Sequence, residues 1–145
     1  MKAIRHFGIV VSNLEKSLYF YRDLLGLQIK RDMLEEGKFI DTILGLRDAR
    51  VHTVKMISDT GDALVELLEY TSHKGKGRED YKIFDLGASH VAFTVENVEE
   101  VYKNLKEAGV RFNCLPQISP DKKAKVTFCF DPDGVPVELV QQLTD

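Results

Sequence analysis

The sequence contains no tryptophan, two cysteines, four prolines and a formal net charge of only −3 across 145 residues. Each scarcity excludes something. Cys114 and Cys129 form no CxxC pair, so the chain has neither a disulfide framework nor a thiolate metal knuckle. They read as reduced thiols in a reducing cytoplasm, and neither has the partner arrangement of a nucleophile. The near-balance of charge gives no general attraction to nucleic acid or to an anionic membrane. No apolar run approaches the roughly 18–20 residues of a membrane span. The opening Met1-Lys2-Ala3-Ile4-Arg5 runs into a strand-like segment and lacks the apolar stretch of a secretory signal, so a cytoplasmic protein is expected. What is present, 43% hydrophobic and 30% charged residues, is ordinary for one globular unit able to bury a core without disulfides.

The chain repeats itself. Laying the segment from His6 to Glu15 over that from His90 to Glu99 matches His6 with His90, Val11 with Val95, Asn13 with Asn97 and Glu15 with Glu99. Each segment then enters a helical pattern, Leu14, Leu18, Tyr21 and Leu25 in the first, Val98, Val101, Tyr102, Leu105 and Ala108 in the second. Ser12 with Glu15, and Asn97 with Glu100, have capping-box spacing, and Gly26 and Gly109 stand where a left-handed C-terminal cap falls. The ends of the halves also correspond: acidic, glycine-containing turns lead into Val65-Glu66-Leu67 and Val137-Glu138-Leu139. Each half therefore reads as strand, helix and about three strands. The expected fold is α+β, two tandem βαβββ modules forming a curved mixed sheet around a metal-binding cleft. Module 1 covers about 1–70, a polar connector about 71–86, and module 2 about 87–145.

Two residues of each half carry the chemistry. Glu66 lies between Leu64-Val65 and Leu67-Leu68, and Glu138 between Val137 and Leu139-Val140. A carboxylate inside a buried strand is costly unless a cation or several donors compensate it. Taken singly, a strand histidine is ordinarily a hydrogen-bonded structural residue, and a strand glutamate ordinarily faces solvent. The repeat changes that balance, because both residue types recur at equivalent points of both halves. His6, Glu66, His90 and Glu138 therefore read as the ligands of one divalent ion. Two imidazoles and two carboxylates suit nickel, cobalt, zinc, manganese or iron, with open positions for water or substrate.

The same segments resemble the vicinal oxygen chelate superfamily, the group of glyoxalase I, bleomycin-resistance proteins and extradiol dioxygenases. The most specific parts are His6 to Leu14 with Phe20 to Leu27, and Phe130 to Gly134 with Val137 to Leu139. The resemblance implies paired βαβββ modules, usually assembled as a homodimer, with metal ligands on the first and last strands of each module. Those positions are His6, Glu66, His90 and Glu138. It also implies a divalent-metal-dependent lyase or isomerase that moves a proton next to a carbonyl of a small oxygenated or thioester substrate, like a lactoylglutathione lyase or a methylmalonyl-CoA epimerase. Glu138 or Glu66 would serve as base in the first case. In the second, Asp48, in the loop before the strand from Val51 to Ile57, falls near the family's base position; an exposed loop aspartate is the plainer reading of that residue.

Two other chemistries share this family: an iron-dependent extradiol dioxygenase, for which His6, His90 and Glu138 would suffice, and a binding or resistance protein without catalysis. A fourth ligand candidate argues against the former and a complete quartet against the latter. Where glutathione-using members carry an arginine and an asparagine, this chain has Val10 and Tyr70, and an apolar Val10 cannot grip a glutathione carboxylate. Lys122, Lys123 and Lys125, or Lys74, Lys76 and Arg78, offer charge for phosphates, although such clusters are usually solvated loops. His52 reads as structural, His73 as exposed, and Phe7, Phe93, Phe128 and Phe130 as core in preference to pocket wall.

Overall fold

The structure is a computed structural model that describes residues 1–143. It divides into two units, Met1–Gly77 and Arg78–Asp145. The first runs β1 (His6–Val10), α1 (Leu14–Leu18), β2 (Gln28–Glu36), α2 (Lys38–Leu44), β3 (Arg50–Ile57) and β4 (Leu64–Tyr70). The second runs β5 (Val91–Thr94), α3 (Val98–Glu107), β6 (Gln117–Ile118), β7 (Ala124–Phe130) and β8 (Pro136–Gln142). The first unit has a four-stranded sheet in the order β1-β4-β3-β2 and the second one in the order β5-β8-β7-β6. In each, the first strand lies parallel to the last and the remaining pairings are antiparallel. The sequence repeat is thus a repeat of topology, and the α+β reading holds as two mixed sheets.

Each sheet has a helix-facing side. In the first unit α1 packs against β4, and the Leu14 N–H donates to Glu69 Oε1 at 3.1 Å. Glu69 therefore points toward the helix, and with it, by strand alternation, Leu67 and Val65. Their row partners Val54 and Met56 share that side. All four apolar residues are buried, each removal from water stabilising by roughly 1.5–3 kcal/mol. The second unit repeats the device: the Val98 N–H donates to Gln141 Oε1 at 3.0 Å, which turns Val137 and Leu139 toward α3. Both helices thus receive an acceptor from their own last strand for one of the N–H groups that a helix start leaves unpaired.

The helix ends are capped in part as the sequence predicts. Asn97 accepts from the Glu99 and Glu100 N–H groups. In α1 the cap is Asn13, not Ser12: Asn13 has the extended backbone of an N-cap and accepts from the Lys16 N–H. Gly26 and Gly109 adopt φ of 80° and 86°, the left-handed conformation that ends both helical segments.

Two features depart from the expected pattern. After Leu18 the helix winds more widely as a π-helical segment over Tyr19–Leu24, with the Leu25 N–H bonded to the Phe20 carbonyl. Consecutive Phe20 and Tyr21 are both buried, their rings edge to face at 4.8 Å. Wider winding turns less per residue, which lets two adjacent aromatic rings share the inward face. The second departure is α2, an additional helix between β2 and β3 whose Phe39 and Ile43 stay exposed.

Candidate functional site

Strand register decides what occupies the side of each sheet away from its helix. In the first unit Gly8, Glu66 and Lys55 stand side by side on β1, β4 and β3. His6 lies two residues before Gly8 and shares its side. In the second unit the matching row is Ala92, Glu138 and Phe128 on β5, β8 and β7, with His90 two residues before Ala92. The small residue opposite each glutamate leaves the neighbouring histidine free to lean over the carboxylate.

It does so in both units. His6 Nε2 lies 2.9 Å from Glu66 Oε2, and His90 Nε2 lies 3.2 Å from Glu138 Oε2. The two contacts use equivalent atoms of equivalent residues. Glu66 is the more enclosed carboxylate, with 9% of its side chain exposed against 23% for Glu138. Its Oε1 also has Lys55 Nζ at 3.9 Å. Glu138 has an aromatic neighbour instead: Phe128 packs edge to face on the His90 ring at 5.2 Å. Imidazole nitrogen and carboxylate oxygen are ligands for borderline divalent ions, so each pair fits such an ion chemically and supplies two donors. Among the described residues, no group of three or more His, Cys, Asp or Glu side chains is gathered to hold a metal.

Asp48 is not brought to the Glu66 carboxylate. It is exposed, in the left-handed conformation with φ 53°, and its N–H and that of Ala49 donate to the Asp41 carboxylate. Lys55, beside Glu66, lies at the other end of β3; Arg50 to Lys55 alone spans about 16 Å of strand. His52 lies on the helix-facing side, 2.6 Å from Asp32, as a structural histidine does. His73 is exposed and pairs with Ser72 Oγ. Val10 and Tyr70 share the side of Glu66, with Val10 exposed and Tyr70 half-buried.

Other candidates sort by side as well. Lys125 forms an ion pair with Glu99 of α3 and is spent there. Lys74, Lys76, Lys122 and Lys123 are exposed, and Arg78 lies over the Tyr81 ring. Phe7 and Phe93 lie on the helix-facing sides, whereas Phe128 and Phe130 line the other side of their sheet, Phe130 beneath the Arg111 guanidinium. Of the two, Phe128 stands at the site, against the His90 ring, and both are half-buried. Cys129 is buried, which pushes its thiol up to about 12, while Cys114 is exposed. Lys55 is the site residue the sequence reading missed; its signal was the alternation that buries Val54 and Met56 and turns Lys55 away from them.

The glyoxalase/bleomycin resistance protein/dioxygenase superfamily model matches residues 3–139. The chain belongs to that superfamily. It is 30% identical to a lactoylglutathione lyase of Neisseria meningitidis over 94% of this chain and 88% of that protein. It is equally 30% identical to the lactoylglutathione lyase of Schizosaccharomyces pombe over 96% of this chain, but spans only 47% of that longer protein. A glyoxalase family protein from Bacillus cereus has the same fold, with a TM-score of 0.89 at 21% identity, covering 99% of this chain and 96% of that one.

Proposed function

We propose that this superfamily member is a divalent-metal-dependent lyase or isomerase, a cytoplasmic homodimer that moves a proton next to a carbonyl of a small oxygenated or thioester substrate. One observation carries the reading. The His–Glu contact occurs twice, His6 with Glu66 and His90 with Glu138, at the same position of both repeated sheets and on the side opposite the helix. A structural ion pair has no need of such duplication. A metal that takes four or more ligands does, since each pair offers two. The four residues together are its proposed ligands, and nickel, cobalt, zinc, manganese or iron the proposed ions.

When bound, such an ion acts as a Lewis acid on the oxygens where charge develops. The chain's own residues divide the remaining work. Glu66, enclosed and flanked by both His6 and Lys55, is suited to holding. Glu138, more exposed and with Phe128 in the position that Lys55 holds beside Glu66, is suited to exchanging a proton with the substrate. Phe128, the cross-strand neighbour of Glu138, packs on the His90 ring and holds it beside that carboxylate. Similarity to lactoylglutathione lyases supports the reaction style, whereas Val10 and Tyr70 speak against glutathione as the handle, because neither offers charge to its carboxylates.

The test is isotope exchange. In deuterated water the metal-loaded protein is expected to exchange the hydrogen next to the carbonyl of a methylglyoxal–thiol adduct or an acyl thioester. Glu138→Gln should lower that exchange by at least about a hundredfold, the usual scale of a general base. Absence of exchange in both substrate classes, with oxygen uptake on a catechol, would contradict the lyase reading in favour of a dioxygenase.

A further inference from the structure

The row through Glu66 does not stop at Lys55. Its next member, on β2, is Arg31, directly opposite Lys55. Two cations facing each other across adjacent strands repel and destabilise the pairing unless an anion lies between them. A β-bulge sets up the juxtaposition. Ile29 pairs with Met56 and Arg31 with Lys55, so Lys30 is the extra residue that shifts the register and brings Arg31 into the row. The resulting sequence across the sheet is Arg31, Lys55, Glu66, Gly8.

Among the described residues, the carboxylate in the row of these two cations is Glu66, and it is already shared. Glu66 Oε2 contacts His6 at 2.9 Å, while Oε1 is 3.9 Å from Lys55 Nζ. The other acid on this side of β2, Glu35, accepts from the buried Thr53 hydroxyl at 2.6 Å and is engaged there. Arg31 is exposed and makes no ion pair among the described residues. Lys55 Nζ, at 3.9 Å, is beyond hydrogen-bond distance of Glu66 and keeps its donors for another anion, the more so when a cation takes up the charge of Glu66. The row then presents an ammonium and a forked guanidinium toward the same space, the combination that binds a carboxylate or a phosphate.

We propose that Arg31 and Lys55 form a two-cation grip for an acidic group of the substrate, on the side of the first sheet that carries His6 and Glu66. The chemical role of the grip rests on the metal-lyase reading; its ability to bind an anion does not. Strands lie about 4.8 Å apart, so the backbone of Arg31 stands on the order of 10 Å from that of Glu66. An acid held between the two side chains lies within a few bonds of a carbonyl at Glu66. The substrate class is thus a small carboxylate- or phosphate-bearing carbonyl compound, anchored at a place independent of Val10 and Tyr70.

The experiment is a titration of isotope-labelled protein with glutarate and, separately, methyl phosphate, followed by amide chemical shifts, in metal-free and zinc-loaded samples. Shifts should centre on residues 31 and 55. Arg31→Gln and Lys55→Met should each weaken binding about tenfold or more, the scale of one lost charge-assisted bond. Arg31→Lys should restore most of it, and metal content should not change in Arg31→Gln. Tighter binding of one probe assigns the acidic group as carboxylate or phosphate. Unchanged affinity in both charge-removing variants, or shifts centred elsewhere, overturns the grip. Failure of the wild-type protein to hold zinc would overturn the metal reading alone, because anion binding is read in the metal-free sample as well.

Discussion

Glu66 shows how much the surroundings of one side chain decide. Nearly enclosed between apolar neighbours, it is tolerated because His6 and Lys55 both reach it. Glu66→Gln keeps the shape but removes the charge that both partners answer. The expected result is loss of divalent-ion binding together with a stability loss of about 1–3 kcal/mol, read from metal analysis and urea denaturation of the same sample. The cysteines give a second residue-scale expectation. Cys129, buried with its thiol pushed up to about 12, holds at pH 8 a thiolate fraction on the order of one in ten thousand. Its pKa is raised in the folded state, so the protonated thiol stabilises the fold up to the unfolded value, and that contribution is lost as pH rises through the window from about 9 to about 12. A thiol reagent at pH 8 should label Cys114 in native protein and Cys129 only after denaturation. Equal native labelling of both would contradict the buried assignment.

At the scale of elements, the N-termini of α1 and α3 share a construction: an asparagine cap and an acceptor lent by the last strand, Glu69 to Leu14 and Gln141 to Val98. Asn97→Ala should lower unfolding free energy by about 1 kcal/mol in urea titration, with Asn13→Ala, which removes an acceptor for one N–H instead of two, similar or smaller. The sequence disclosed Asn97 because a glutamate follows at the reciprocal spacing. It misled at Ser12 because serine is an equally good cap by type and only backbone conformation chooses between neighbours. Helix α2 was illegible for another reason. Phe39, Ile40, Ile43 and Leu44 do stand at helical spacing, but a seven-residue segment is too short for that period to stand out, and the glycines that bound it, Gly37 and Gly45, look like any turn. Widening of the first helix was equally hidden, because Leu14, Leu18, Tyr21 and Leu25 fit ordinary α-helical spacing.

For the whole molecule, the duplicated architecture was readable because a repeat at matched punctuation constrains topology more strongly than any local propensity. His6, Glu66, His90 and Glu138 were readable for the same reason, as two copies of one contact. Lys55 and Arg31 were not, since they have no counterpart in the second half, where Phe128 takes the place of Lys55. The sites that differ between the modules are the ones that would distinguish substrates, and a repeat is silent about them. The proposed homodimer should sediment at twice the chain mass.

Whether the two His–Glu pairs serve one divalent ion, as proposed, is decided by metal analysis of purified wild-type protein beside His90→Ala. About one divalent ion per chain is expected in the wild type, with most of it lost in His90→Ala although His6 and Glu66 are untouched. Full retention of metal by His90→Ala would contradict the claim.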